Sequence, residues 1–288
     1  MNAPAGQNPS AAAAAPVRLA RLLPAGAPGT IAEIIEELGL WARHDTMPAR
    51  PHVMLNMIST VDGRATLDGR SGALSNRADR ALFHGLRSAV DAVLVGAGTV
   101  RSERYGRIIP DASRRRRRRS RELSEEPLAC IVSARMALEP AIPLLGEPAA
   151  RVVILTASAA SLPATAAHVD YVRAGRDGQL DLAAALAELG ERFGVQSVLC
   201  EGGPHLGLRL LEDGLVDELF LSLSPQLAGG EAVGGESLRI LAGAELAPPV
   251  ELELLGVLSG GSELFLRYGV SARERVSRET TLSSSLAS

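Results

Sequence analysis

Lysine is absent from this chain: all 30 of its basic residues are arginine. A guanidinium keeps its proton at physiological pH, so no side chain can offer an ε-amine. That excludes Schiff-base and pyridoxal-phosphate catalysis, the lysine of a phosphate-binding Walker loop and a Tyr-x-x-x-Lys dehydrogenase centre. Cysteine is scarce as well. Cys130 and Cys200 sit at the ends of apolar runs and read as small core residues, not as a disulfide or a metal pair. The five histidines, His44, His52, His84, His168 and His205, have no metal-ligand spacing. His-Glu-x-x-His, Gly-x-Ser-x-Gly and the zinc-deaminase pattern His-x-Glu with Pro-Cys-x-x-Cys are all missing. No metal site is expected. No apolar run approaches the length of a membrane span. The Ala/Pro-rich start lacks a basic opening and a Leu-rich segment, so it reads as a flexible tail and not a signal peptide. A cytoplasmic location is the default expectation.

What is present is a chain of 288 residues, 46% hydrophobic, long enough to bury a substantial core. Its organising stretch is Ser197-Val198-Leu199-Cys200-Glu201-Gly202-Gly203-Pro204, continuing through His205-Leu206. A short apolar run reads as a buried strand, stops at an acid and two glycines, and a proline opens a helix. Strand, glycine turn and helix start aim free N–H groups and a helix dipole into a crevice. A second strand, Asp91 to Val95, ends in Gly96-Ala97-Gly98-Thr99-Val100-Arg101. Arg101 replaces the third glycine of a dinucleotide fingerprint, so what remains is a glycine turn with a hydroxyl beside it.

Elsewhere the pattern alternates. Thr30 to Leu38 has helical spacing, a capping threonine and a Gly39 stop. His52 to Ile58 reads as the first core strand, running into the turn Ser59 to Arg64. Asp62 in that turn has two readings, an acid holding its own backbone or an acid presented at a strand end. Asn76 caps a helix to Ala89 whose buried stripe is Ala78, Leu82, Leu86 and Val90. Further strands are expected at 128–132, 151–155, 168–172 and 216–225, a short helix at 158–166 and a helix at 182–193. Gly229-Gly230 and Gly234-Gly235 bound a loop, and a hairpin over 251–268 turns at Gly260-Gly261. These units predict a three-layer α/β domain over 30–270, with a mostly parallel central sheet and a C-terminal antiparallel hairpin. A flexible lead over 1–29 and a flexible tail over 271–288 flank it. Arg114 to Arg119 are six arginines in succession within 111–127. Without them the formal charge of −3 falls to about −9, so no broad basic face accompanies them. The segment is expected to be a solvated, flexible loop, and nucleic acid is not an expected partner.

Three blocks together carry a resemblance. Asn56 to Arg64, Leu86 to Val100, and Glu201-Gly202-Gly203-Pro204 through Leu215 to Leu219 resemble the reductase domain of the riboflavin-pathway pyrimidine deaminase/reductase, in the dihydrofolate reductase-like superfamily. The resemblance spans roughly Pro51 to Tyr268, and the missing deaminase signature suggests a stand-alone form. It implies a homodimer that uses NADPH to reduce a ribosylaminopyrimidine to its ribitylamino form. By motif, Ile58, Ala73, Gly96, Gly98, Thr99, Glu103 and Gly202 through Leu206 (Gly203, Pro204 and His205 between) correspond to the cofactor surface. Ser133 matches a further cofactor contact, with Arg135 as a possible partner of the 2′-phosphate. Asn56, Ser71, Arg87 and Glu201 fall on the substrate side. Two departures stand out. Pro110 occupies the position of a family arginine and Arg107 that of a leucine, so either Arg104 or Arg107 takes over phosphate recognition or the substrate differs. The tryptophan often found at Ala73 is gone. Asp62 or Glu201 is expected to supply the proton of the reduction. Competing readings are a dihydrofolate or dihydropteridine reductase on the same fold, and a non-catalytic NADP- or nucleic-acid-binding protein.

Overall fold

In the computed structural model, which describes residues 15–42, 49–229 and 239–271, the apolar runs become strands of one sheet. In chain order the elements are β1 (Arg18–Leu23), β2 (Ala25–Thr30), α1 (Ile31–Glu37), β3 (His52–Thr60), α2 (Arg77–Ala89), β4 (Ala92–Gly96), α3 (Ala97–Ser102) and α4 (Ala112–Arg119). Then follow β5 (Leu128–Val132), β6 (Arg151–Thr156), β7 (His168–Arg173), the small pair β8 (Gly175–Arg176) and β9 (Gln179–Leu180), and α5 (Leu182–Phe193). The chain closes with β10 (Ser197–Cys200), α6 (Pro204–Glu212), β11 (Glu218–Ser224), β12 (Leu252–Gly260) and β13 (Glu263–Val270).

The main sheet has 11 strands in the order β2-β1-β12-β13-β11-β3-β10-β4-β5-β6-β7. From β11 to β7 neighbouring strands are parallel; the β12–β13 hairpin and β1–β2 complete it antiparallel. Along β4, Val93 and Val95 pack with Ile35 of α1 and with Leu82 and Leu86 of α2. Ala92 and Leu94 face Leu186 and Leu189 of α5 and Leu210 of α6. Both faces are covered, so a strand with a side-chain period of two still reads as one unbroken apolar run. Asn76 caps α2 by accepting from the N–H groups of Ala78 (2.6 Å) and Asp79 (3.0 Å). Thr30 and Glu33 close a capping box on α1. Among the described residues no helix is long and apolar enough to cross a membrane.

Three local expectations need correction. The lead is not flexible throughout, because residues 18–30 form the β1–β2 hairpin and β1 pairs with β12. Its anchor is Leu19, fully buried, whereas Leu22 and Leu23 stay exposed. One buried position in six gives no periodic signal. The segment 158–166 is not helical. Pro163 interrupts it, Leu162 N–H donates to Tyr171 Oη (2.8 Å), and Arg173 holds the carbonyls of Ser158 and Ala160. The arginine run is not a loop. Asp111 caps α4 through Arg114 N–H (2.8 Å), and Arg118 is buried, donating to the carbonyls of Ser88 (3.0 Å), Val90 (2.6 Å) and Ser124 (2.8 Å). Arg117 and Arg121 both pair with Glu36 and lie over the Trp41 ring, and Arg119 pairs with Glu125. Residues 1–14 of the lead, His44, the Gly230 to Gly235 part of the loop and the tail from 272 lie outside the described residues.

Arg118→Ala strips its donor from the buried carbonyls of Ser88 and Val90 and is expected to destabilise the chain by about 3–5 kcal/mol. The exposed Arg116→Ala is expected to stay within about 0.5 kcal/mol of the native chain. Urea midpoints at unchanged m-value read both.

Candidate active site

β3, β10 and β4 are adjacent, and their carboxyl ends open onto one crevice. The glycine turns that follow β10 and β4 touch there, Gly96 N–H donating to Gly202 O at 2.8 Å. Gly202 has a φ of +79°, a conformation that favours glycine. A Cβ on Gly203 would lie 2.7 Å from Thr99 Oγ1, so the two loops meet too closely for any side chain. Pro204 starts α6 at a position where a helix N–H would go unused, and the N–H groups of the turn after it have no partner within the helix.

Two clefts flank this junction. The first, of about 590 Å³, is walled by Gly96, Gly98, Thr99 and Ser102, by Gly203 to Leu206 and Arg209 of α6, and by Gly178 to Leu180. The second, of about 450 Å³, is walled by Asn56 to Ile58 of β3, Ser71, and Asp79, Arg80, Phe83 and His84 of α2. Glu103, Tyr105 and Glu201 complete it, and Thr99, Ser102, Gly203 and Pro204 belong to both clefts.

At the base of the second cleft Arg87 and Glu201 form a bidentate pair, Nε and Nη2 each 2.6 Å from a carboxylate oxygen. Their side chains are 9% and 3% exposed. Tyr105 Oη donates to Glu201 Oε2 at 2.6 Å, and Arg87 also donates to Ile108 O and stacks on Phe83. Burial, then the Glu201 charge, pushes the Tyr105 phenol well above its usual range, so it stays a donor. Glu103 accepts from both Ser71 N–H and Ser71 Oγ at 3.1 Å.

Most expected site residues gather here. Asn56, Ile58, Ser71, Glu103 and Glu201 line the second cleft; Gly96, Gly98, Gly203, Pro204, His205 and Leu206 line the first; Thr99 serves both. Others are elsewhere. Asp62 accepts from Thr60 Oγ1 and from the N–H groups of Gly229 (2.6 Å) and Ala228 (3.0 Å). Those bonds, Thr60 first, hold its carboxyl at about 2. It is an ionised loop clasp that lines neither cleft, and the expected proton donor is corrected to a structural acid. Glu201 accepts from Arg87 and Tyr105 with both oxygens. Arg87 spends its fork on Glu201 and is not open to a phosphate. Arg107 pairs with Glu126, while Arg104 is exposed and lines neither cleft. Ala73 is exposed outside both; Ser133 is buried, and the side chain of Arg135 lies beside Gly178 at the rim of the first cleft.

Residues missed from sequence are Asp79, Arg80 and His84 of α2 and Glu263 of the closing strand. Arg80, His84 and Arg87 recur at helical spacing, a signal that was available. Asp79 accepts from Ser75 Oγ (2.5 Å) and Ser222 Oγ (2.6 Å). Glu263, first residue of β13, is fully buried with no hydrogen-bond partner on either oxygen. Burial, then the charge of Asp79, raises its carboxyl to about 7. No sequence signal marks Glu263.

Solved structures with this fold include a pyrimidine reductase-like protein of Corynebacterium diphtheriae, with a TM-score of 0.65 at 22% identity over 85% of this chain and 100% of that one. A deaminase/reductase of Thermotoga maritima aligns at a TM-score of 0.59 and 23% identity, over 77% of this chain and 57% of that one. Both share the mostly parallel α/β sheet of this chain. The sequence pattern of the RibD C-terminal domain matches residues 51–266, and the chain belongs to that family. A curated relative, the 2,5-diamino-6-ribosylamino-4(3H)-pyrimidinone 5′-phosphate reductase of Methanothermobacter thermautotrophicus, is 28% identical over 77% of this chain and 99% of its own length.

Two stability measurements follow. Glu201→Ala leaves Arg87 buried and unpaired and is expected to cost about 3–5 kcal/mol. Glu263 carries a folded pKa raised from 4.5 to about 7, so its contribution is complete below 4.5 and is lost as pH rises through 7. Glu263→Gln is therefore expected to gain about 3 kcal/mol on the native chain between pH 4.5 and 8, read by urea melts across pH.

Proposed function

We propose that the chain is an oxidoreductase that uses NADPH to reduce a 5′-phosphorylated ribosylaminopyrimidine in riboflavin biosynthesis. The single observation that carries this is the pair of clefts joined at Thr99 and Gly203, one glycine-walled and one lined with polar side chains, in a chain of this family. The curated relatives from Methanothermobacter thermautotrophicus and Archaeoglobus fulgidus, 28% and 27% identical, are reductases of that pyrimidinone phosphate.

The first cleft fits a nicotinamide dinucleotide. Gly98 borders open space, the first turn of α6 presents N–H groups to a pyrophosphate, and Arg135 at the rim suits a 2′-phosphate. When bound, the reduced nicotinamide supplies hydride to the neighbouring cleft. There Asn56 and Ser71 offer polar contacts to a pyrimidine, and the Arg87–Glu201–Tyr105 cluster holds the floor rigid. With Arg87 occupied, Arg80 and His84 are the cations left to take the substrate phosphate. Burial, then Arg87 and Arg114, lowers the His84 pKa, so a phosphate dianion would draw a proton onto the ring. The exposed leucines Leu22, Leu23, Leu252, Leu254 and Leu255 (39–51%) suit a homodimer at the antiparallel end of the sheet. Buried unpaired thiols at Cys130 and Cys200 accord with a cytoplasmic setting.

The test sets the phosphorylated ribosylaminopyrimidine and dihydrofolate side by side, following loss of reduced-nicotinamide absorbance. Turnover with the pyrimidine and none with dihydrofolate is expected; the reverse installs the dihydropteridine reading. Arg80→Met is expected to raise KM for the phosphorylated substrate about 10-fold or more with kcat little changed, as loss of a charge-assisted bond of about 1.5–3 kcal/mol requires.

A further inference from the structure

The first cleft has two unlike ends. At one, Thr99, Ser102, Gly203 and Pro204 also wall the second cleft. The other is not shared, and is formed by Val132 of β5, Gly178 to Leu180 of the β8–β9 hairpin, Leu182 of α5 and Arg209 of α6. Among the described residues no acid lines this cleft. A dinucleotide without a 2′-phosphate is commonly held by its ribose hydroxyl on a carboxylate, whereas an arginine accommodates the 2′-phosphate.

Arg209 is the arginine of that unshared end. Its side chain is 42% exposed, and its Nε donates to Asp213 Oδ2 at 2.8 Å, one helical turn on. Such a pair ties the guanidinium to the helix and leaves its outer edge for another acceptor. Among the described residues neither terminal nitrogen of Arg209 has a partner. Glu212 and Asp181 also act on its charge, but neither lines the cleft, and Asp181 accepts from the Ala184 N–H. Beside Gly178 lies Arg135, exposed, its Nε 4.0 Å from the point that a Cβ on Gly178 would occupy.

Building on the reductase reading, we infer that Arg209 selects NADPH over NADH by sharing the 2′-phosphate with Arg135, and that Asp213 is its positioning residue. Hydride transfer needs the nicotinamide end at the wall common to both clefts, so the adenosine end reaches the other way. There Val132, Leu180 and Leu182 offer an apolar bed for the base, and the first turn of α6 lies between for the pyrophosphate. A guanidinium presents paired N–H donors in the shape a phosphate accepts, and two of them match a dianion. The 2′-phosphate is the only group by which the two dinucleotides differ, so a cation that meets it and nothing else discriminates between them.

The test uses the full-length chain and reads binding alone, by calorimetry. The native chain is expected to bind adenosine 2′,5′-bisphosphate about 10-fold or more tighter than adenosine 5′-monophosphate, which lacks only the 2′-phosphate. Arg209→Met is expected to weaken NADPH about 10- to 100-fold while NADH stays within about 2-fold, so that NADH also reports a folded site. Asp213→Asn is expected to weaken NADPH by less, again without moving NADH, a split that loss of a helix contact alone does not produce. A native value there removes the positioning role. Equal losses for both dinucleotides in Arg209→Met assign the side chain to the pyrophosphate and overturn the proposal, as does a native NADPH affinity in that variant. In either case the native chain still binds a reduced nicotinamide dinucleotide and the reductase reading stands. A native chain that binds neither dinucleotide overturns the reading and the selectivity of Arg209 together.

Discussion

The buried pair of Arg87 and Glu201 joins α2 to the end of β10, and Tyr105 ties the segment after α3 to the same carboxylate. Each partner is tolerable in the interior only because the other is there. The pair sets how α2 lies over the strand ends, and so where Asp79, Arg80 and His84 stand along the second cleft. The same pairing engages the guanidinium fork of Arg87 and both carboxylate oxygens of Glu201. The other basic side chains on the second cleft, Arg80 and His84, stand on α2.

The junction of the clefts rests on a different constraint, close approach without side chains. Gly96 and Gly202 bond backbone to backbone, and Gly203 leaves room only for the Thr99 hydroxyl. This brings a glycine-walled groove against a polar one across a single wall, as transfer between two bound molecules requires. The arginine run serves the fold by similar local accounting. Its charges are met by Glu36, Glu125 and the carbonyls that end α2, so a stretch that looks like a basic tether is a strut.

Much of the fold was legible because each signal is local. The Thr30 and Asn76 caps, the unbroken apolar strands and the Gly260-Gly261 turn depend on residues within a few positions of one another. Where a segment draws its order from afar, the local reading failed. β1 is held by Leu19 and its pairing with β12, and α4 by carbonyls of α2 and of the loop after it. The glycine turns of the site were legible for the same local reason, and the role of Asp62 was not, since its partners Ala228 and Gly229 are far along the chain.

Sequence by itself determined the chemistry that is impossible without lysine, the alternating α/β plan, the two glycine turns and the family. Tertiary structure alone decided how the charged groups are engaged: Arg87, Glu201, Asp62, Asp79 and Arg107 are each held by partners, while Arg80 and His84 line the second cleft. The reason is physical. A residue's type sets what it can donate, accept or ionise, but its availability depends on burial and on neighbours brought close by folding across distances that no local pattern records.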